Sequence, residues 1–269
     1  MKHNMKDLLL AAINASLKAG EEILEVYNSD DFAIEHKDDR SPLTLADKRA
    51  HEVISKMLQP LELPVLSEEG KSIPYAQRSG WNHFWMVDPL DGTKEFIKRN
   101  GEFTVNIALI HQQRSVLGVI YVPVTRTLYF AAEGVGAFKS NMQPNSFYFV
   151  DLQEVLDHSH KMPLQNEDGK FTVVASRSHL SEETEMFIDG LRTTNKEVEF
   201  ISSGSSIKLC LVAEGKAHVY PRFAPTMEWD TAAGQAICEI SGKRVIDYKT
   251  NAPLLYNKEN LLNNWFIVD

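Results

Sequence analysis

The sequence predicts an α+β protein that begins in helix, passes through a strand meander and then alternates strands with helices. Three observations carry that reading. Apolar residues recur at close to helical spacing over residues 5–27, at Leu9, Ala12, Ile13, Leu17, Ile23 and Val26. Apolar runs at Phe84–Val87, Phe103–Ile110, Val116–Val122 and Leu128–Ala132 are parted by turn residues. Beyond Gly169-Lys170, short β-prone runs and helical stretches take turns.

A second helix is expected from about Thr44 to Leu58, with Thr44 and Asp47 as a capping pair and Pro60 as its stop. Between the two helices, the polar segment from Asp30 to Pro42 reads as a hairpin or mobile loop. Val65-Leu66 is a short strand, and the run Phe84-Trp85-Met86-Val87 ends abruptly at Asp88. The next three runs suggest an antiparallel meander, with a tight turn at its end over Gly134-Val135-Gly136-Ala137. From about Asn141 to Gly169 the composition is polar, which divides the chain into halves at 1–140 and 141–269. In the second half, strands at Phe171–Ala175, Val198–Ile201 and Ala217–Tyr220 alternate with helices at Ser181–Leu191, Ser205–Glu214 and Thr231–Ile240.

Composition narrows the function. The chain has 269 residues, 43% apolar and 24% charged, as expected of a globular protein with a sizeable core. Its formal net charge of −9 repels nucleic-acid phosphate, so no nucleic-acid partner is expected. A phosphate ligand would need bound cations or a local basic patch. Cys210 and Cys238 lie far apart without a C-x-x-C pair, which argues against a zinc site or disulfide scaffold and suits a reducing compartment. The apolar run Leu8–Ile13 is too short for a signal peptide or a membrane span. The expectation is a cytoplasmic protein without an integral membrane segment, with a peripheral station on the inner membrane face left open.

The strongest local feature is Asp88-Pro89-Leu90-Asp91-Gly92-Thr93-Lys94-Glu95. A buried strand delivers Asp88 to a sheet edge, Pro89 stiffens the turn, and Gly92 lets the backbone approach a ligand closely. Asp88 and Asp91, three apart around a turn, can aim both carboxylates at one point, with the Leu90 carbonyl between them. Hard cations such as Mg²⁺ take oxygen ligands of this kind. Gly92-Thr93-Lys94 opens a helical turn whose free N–H groups suit an anion. Taken alone, such a segment is more often only a surface turn. Two further acidic sites add weight: Ser67-Glu68-Glu69-Gly70 after the short strand, and Glu228-Trp229-Asp230-Thr231-Ala232-Ala233-Gly234, with Asp230 expected at a helix N-cap.

These three motifs, in this order, resemble the inositol-monophosphatase superfamily of Li⁺-sensitive phosphatases. Within it the likeness is closer to the bacterial 3′(2′),5′-bisphosphate nucleotidases of the CysQ type. It is carried by the stretch Val87 to Ile110, and by Ser41-Pro42-Leu43-Thr44, Ala46-Asp47, Ser176-Arg177-Ser178-His179, Gly204-Ser205-Ser206-Ile207-Lys208 and Tyr220-Pro221-Arg222-Phe223. The segment from Asn141 to Gly169 matches least. The resemblance implies a layered α-β-α-β-α sandwich with its site between the two halves. It implies two or three Mg²⁺ ions held by Glu68, Asp88, Asp91 and Asp230 with the Leu90 carbonyl, and inhibition by Li⁺. Asp47 and Thr93 look like the family's water-activating pair.

By the same resemblance, the reaction is attack of water on a phosphate monoester, releasing an alcohol and inorganic phosphate. The expected substrate is a small nucleotide bisphosphate, 3′-phosphoadenosine 5′-phosphate, with a place in sulfur assimilation. Its second phosphate needs basic groups, for which Arg177, Lys208 and Arg222 are candidates. Ser205, Lys208 and Arg222 would hold the nucleotide, with Glu214 nearer the ribose. His179 is a candidate contact for the base or ribose, although a lone histidine is more often structural. Gly92, Thr93 and Lys94 border the reacting phosphate, whereas Lys98 and Arg99 read as a solvated face. A monomer or a homodimer is expected. Alternatives left standing are an inositol monophosphatase or fructose-1,6-bisphosphatase of the same superfamily, and a non-catalytic Mg²⁺-dependent nucleotide or phosphate binder.

Overall fold

The structure, a computed structural model, describes residues 3–29, 32, 35–36, 42–144, 148–164, 170–176, 181–194 and 197–269. Helix α1 (Met5–Tyr27) forms where the helical spacing places it, and Asn4 caps its start by accepting the Asp7 N–H at 2.9 Å. Strands β1 (Glu35–His36) and β2 (Pro42–Leu43) pair antiparallel. Helix α2 (Leu45–Leu58) starts at Thr44, whose N–H and hydroxyl both reach Asp47 Oδ2, at 2.7 and 2.5 Å. Pro60 lies in the 3-10 turn that ends it.

Next come β3 (Val65–Ser67), α3 (Tyr75–Arg78), β4 (His83–Asp91), α4 (Thr93–Ile97), β5 (Thr104–His111), β6 (Arg114–Val122), β7 (Thr127–Ala132) and β8 (Gly136–Asn141). Helix α5 (Leu152–Asp157) and β9 (Ser159–Lys161) follow. Strands β3 to β9 form one seven-stranded sheet in sequence order, antiparallel except for the parallel β3–β4 pair. Two expectations shift here. The turn after β7 leads into β8 rather than closing the meander, and the polar segment after Asn141 contributes α5 and β9. The first sheet thus runs past residue 140 to Lys161.

Alternation explains why the strands read as continuous apolar runs. Trp85, Val87, Val105, Ile107, Leu117 and Val119 pack with α1 and α2 in one core, while their neighbours Phe84, Met86, Ala108, Ile110 and Ile120 pack with the helices of the second half in another. Both faces of the sheet are buried, so neither needs polar residues.

The second half contains β10 (Phe171–Ser176), α6 (Glu182–Thr194), β11 (Val198–Ser203), α7 (Ile207–Ala213), β12 (Tyr220–Arg222), α8 (Glu228–Ile240), β13 (Val245–Asp247) and β14 (Phe266–Val268). Parallel β10–β11 and antiparallel β12-β14-β13 are joined by a Val173–Val219 bridge. Helices α7 and α8 lie between the two sheets, and α6 packs on β12. The layers are therefore α1/α2, first sheet, α7/α8, second sheet and α6, the expected sandwich. Among the described residues, no helix is long and apolar enough to cross a membrane.

Candidate active site

Three chain segments converge where the two halves meet. Strand β4 does not stop at Asp88 but carries on to Asp91 through an irregularity, pairing Asp88 with Asn106 and Asp91 with Thr104. Asp88 Oδ1 accepts the Leu90 N–H at 3.1 Å, which folds the turn back on itself. The Glu68 N–H bonds to the Val87 carbonyl at 3.1 Å and so seats Glu68 beside Asp88. Gly92 has φ 94, and a Cβ there would stand 3.2 Å from both the Glu102 carbonyl and Ser205 Cβ, so the position requires glycine.

Asp230 arrives from the other half. Helix α8 begins at Glu228, earlier than expected, which moves Asp230 from the N-cap into the first turn, where its Oδ2 accepts the Met227 N–H at 2.8 Å. Glu228, fully buried, fixes this helix start by accepting the Asn257 N–H at 2.6 Å and Lys258 Nζ at 2.7 Å. Asp47 stands behind the Asp88–Asp91 turn. Thr93 Oγ1 lies 3.3 Å from Asp47 Oδ1 and 3.4 Å from the Leu90 carbonyl.

The carboxylates perturb one another. Burial pushes Asp88 well above the usual aspartate range, and Glu68, Asp91, Asp230 and Asp47 add to the rise. Asp230 rises for the same reasons, first loss of water and then Asp91 and Glu68. Asp91 is pushed up to about 6 by burial, a rise limited by Lys208 and by the Ser206 N–H. Lys208 in turn is lowered to about 8 by burial, with Asp91 opposing. Carboxylates crowded in this way are short of positive charge.

A cleft at this junction is lined by Asp91, Gly92, Lys94, Glu95, Ser205, Ser206, Lys208, Tyr220, Arg222, Thr226 and Asp230, among others. Of the residues expected from the sequence, Asp91, Gly92, Lys94, Ser205, Lys208, Arg222 and Asp230 line it directly. Asp47, Glu68, Asp88, Leu90 and Thr93 adjoin it through the contacts above. Ser205 is not a helix cap: it has φ 44, and α7 starts only at Ile207. Arg177 and His179 lie outside the described residues.

Glu214, expected nearer the ribose, sits apart from the residues that line the cleft. Its carboxylate has no exposure and does not line the cleft; it pairs with Lys139 and accepts the Tyr129 hydroxyl at 3.2 Å. Its other oxygen, Oε1, lies 3.2 Å from Lys216 Nζ.

Sequence reasoning passed over Glu95, Asn106, Ser206, Tyr220 and Thr226. Glu95, Asn106 and Ser206 lie inside the matched motifs, so a signal was present. Thr226 is marked only by structure: its hydroxyl is buried and, like Arg222 Nε, lacks a hydrogen-bond partner among the described residues.

The donor set consists of carboxylates and a carbonyl, the hard oxygens that suit Mg²⁺ rather than a soft metal. Among the described residues, no group of three or more His, Cys, Asp or Glu is gathered so that it would hold an ion as it stands. The fit lies in the donor chemistry and in the mutual repulsion of these acids, which a divalent cation would relieve.

Residues 4–265 match the model of the inositol monophosphatase family. A Salmonella typhimurium protein named 3′(2′),5′-bisphosphate nucleotidase CysQ is 44% identical over 253 residues, covering 93% of this chain and 94% of that one. The protein of that name from Escherichia coli K12 is also 44% identical, over 254 residues, with the same coverage of both chains. The crystal structure of CysQ from Bacteroides thetaiotaomicron superposes with a TM-score of 0.90 at 56% identity, covering 98% of this chain and 97% of that one. An inositol monophosphatase from Thermotoga maritima shares the fold, with a TM-score of 0.72 at 19% identity over 98% of this chain and 92% of its own. The chain belongs to the inositol monophosphatase family, as a member of the CysQ type.

Proposed function

We propose that this protein is a Mg²⁺-dependent phosphomonoesterase that hydrolyses 3′-phosphoadenosine 5′-phosphate to AMP and inorganic phosphate. The observation that carries the reading is that acidic and basic residues line one cleft together: Asp91 and Asp230 with Lys94, Lys208 and Arg222. The acids would hold cations that offset the charge of the reacting phosphate. The bases suit a second phosphate that those cations would not reach. A substrate with two separated phosphates uses both sets, and the relatives named 3′(2′),5′-bisphosphate nucleotidase agree with that choice.

Glu68, Asp88, Asp91 and Asp230, with the Leu90 carbonyl, would hold two or three Mg²⁺ ions, and Li⁺ would compete there. Bound Mg²⁺ supplies positive charge that makes water a better nucleophile and eases departure of the leaving oxygen. The chain's own residues supply the rest. Thr93, held by Asp47, takes up or relays the proton of the attacking water. The backbone at Gly92 can approach the phosphate because no Cβ stands in the way. Arg222, whose Nε has no hydrogen-bond partner among the described residues, and Lys208 orient the far end of the substrate. Free, buried Cys210 and Cys238 favour a reducing cytoplasm.

The deciding experiment is phosphate release from 3′-phosphoadenosine 5′-phosphate, with and without Mg²⁺, beside inositol 1-phosphate and fructose 1,6-bisphosphate. Fast, Mg²⁺-dependent release from the nucleotide alone is expected. Faster release from the inositol or sugar phosphate would overturn the nucleotide assignment while leaving the phosphatase reading in place.

A further inference from the structure

Asp91 projects from the end of β4 in the first sheet, yet its carboxylate is gripped chiefly by the second half of the chain. Its Oδ2 accepts the Ser206 backbone N–H at 2.6 Å, and Asn106 Nδ2 approaches the same oxygen at 3.5 Å. The Ser206 hydroxyl donates to Asn106 Oδ1 at 2.8 Å and lies 2.8 Å from Thr104 Oγ1. A hydroxyl has one proton, so with this one given to Asn106 the Thr104 hydroxyl donates to Ser206. Thr104, Asn106 and Ser206 are all buried, at 0, 1 and 2% exposure, so water does not compete for these bonds. Thr104 and Asn106, two apart on β5, share one face of the strand, while Ser206 sits just ahead of α7. Among the described residues no hydrogen bond is made to Asp91 Oδ1.

We propose that Ser206 and Asn106 are positioning residues for Asp91, committing one carboxylate oxygen to the protein and presenting the other to a divalent cation. The chain Thr104–Ser206–Asn106 locks the amide rotamer and the place of the Ser206 N–H, and these two donors lock Asp91. The metal ligand thereby depends on the segment that also carries Ser205 and, in the first turn of α7, Lys208. This rests on the phosphatase reading above.

The test is Mg²⁺ binding to the metal-free full chain, followed by thermal shift, for wild type, Ser206→Ala, Asn106→Ala, Ser206→Thr and Asp91→Asn. Groups that orient a metal ligand typically matter by about tenfold or more in affinity. The half-saturating Mg²⁺ concentration should therefore rise about tenfold in Ser206→Ala and Asn106→Ala. The Mg²⁺ needed for half-maximal turnover should rise in step, with KM at saturating Mg²⁺ unchanged. Ser206→Thr keeps the hydroxyl and should bind as wild type. Asp91→Asn should lose the Mg²⁺ response. If Asp91→Asn loses it while Ser206→Ala and Asn106→Ala respond as wild type, the positioning role is overturned and the metal reading stands. An intact response in Asp91→Asn overturns the metal reading itself. Should Asn106→Ala fail to fold, Ser206→Ala, which removes a single oxygen, decides.

Discussion

Thr93 Oγ1 stands 3.3 Å from Asp47 Oδ1, and it is Asp47's other oxygen that closes the cap of α2 through Thr44. One carboxylate therefore caps the start of a helix and orients a hydroxyl 46 positions along the chain. The cap makes the orientation rigid, because Oδ2 cannot turn away without releasing two hydrogen bonds. Asp47→Asn retains an amide oxygen for Thr44, so the fold should survive, but Thr93 loses a charged acceptor. Turnover should fall about 10²- to 10⁴-fold, the range for a positioned proton-transfer group, with Mg²⁺ affinity unchanged. Turnover within about tenfold of wild type at saturating Mg²⁺ would remove Asp47 from the reaction.

The raised carboxylates imply a pH signature in the metal-free protein. A group whose pKa is higher folded than unfolded contributes stability at low pH and loses it as pH rises through the folded value. For Asp91 that loss runs between the ordinary value of 3.8 and about 6, and the rises at Asp88 and Asp230 extend it upward. In EDTA, the contribution of these groups should fall as pH climbs from about 5 to about 7, and Mg²⁺ should restore it most at the upper end. Melting temperatures with EDTA and with Mg²⁺ across that range measure it. A Mg²⁺ effect that is larger at pH 5 than at pH 7 would contradict the picture.

Much of this site was legible in the sequence because its chemistry is local. Asp88 to Thr93 form one continuous segment from the end of β4 to the start of α4, and such a segment shows its purpose in its own residues. The capping pair Thr44–Asp47 is equally local. Strands β8, β13 and β14 were not legible. The last two are three residues each and gain their identity only by pairing with one another and with β12. The surroundings of Glu214 were not legible for a related reason. Its position in the chain, at the end of the helix that carries Lys208, suggests the cleft, whereas its side chain is drawn away by Lys139 and Tyr129, about which spacing says nothing. The start of α8 also depends on distant groups, since Glu228 is satisfied by Asn257 and Lys258.

Thr226 offers a stability test of the opposite sign to most substitutions. Its hydroxyl is buried and unpartnered among the described residues, and its backbone carbonyl is already engaged by the Asn263 N–H at 2.9 Å. A buried polar atom without a hydrogen bond costs about 1–3 kcal/mol, and an apolar group of the same shape removes that cost. Thr226→Val should therefore leave the ligand-free protein as stable or more so, by up to about 1 kcal/mol in urea unfolding. A loss of more than about 1 kcal/mol would mean that the hydroxyl has a stabilising partner.

The position of Asp230 depends on how closely α8 approaches the first sheet, and that distance is set at Gly118. Ala108, Gly118 and Ala131 stand side by side across β5, β6 and β7, a row of small residues forming a trough beneath the helix. A Cβ on Gly118 would fall 2.1 Å from the Ala233 carbonyl oxygen and 2.9 Å from its carbon. The obstacle is helix backbone rather than a flexible side chain, so α8 itself must move. Overpacking of a core typically costs about 1–3 kcal/mol, and a backbone obstacle places Gly118→Ala at the upper end. Because Asp230 lies one turn before Ala233, the same displacement should weaken Mg²⁺ binding. Gly80→Ala, where an added Cβ meets nothing within 4 Å, is the control and should be close to neutral. Denaturant midpoints and Mg²⁺ half-saturation for the two variants measure both effects. If Gly118→Ala matches Gly80→Ala in both, α8 is not held in place by this contact, and the siting of Asp230 must come from Glu228 and the segment at Asn257 alone.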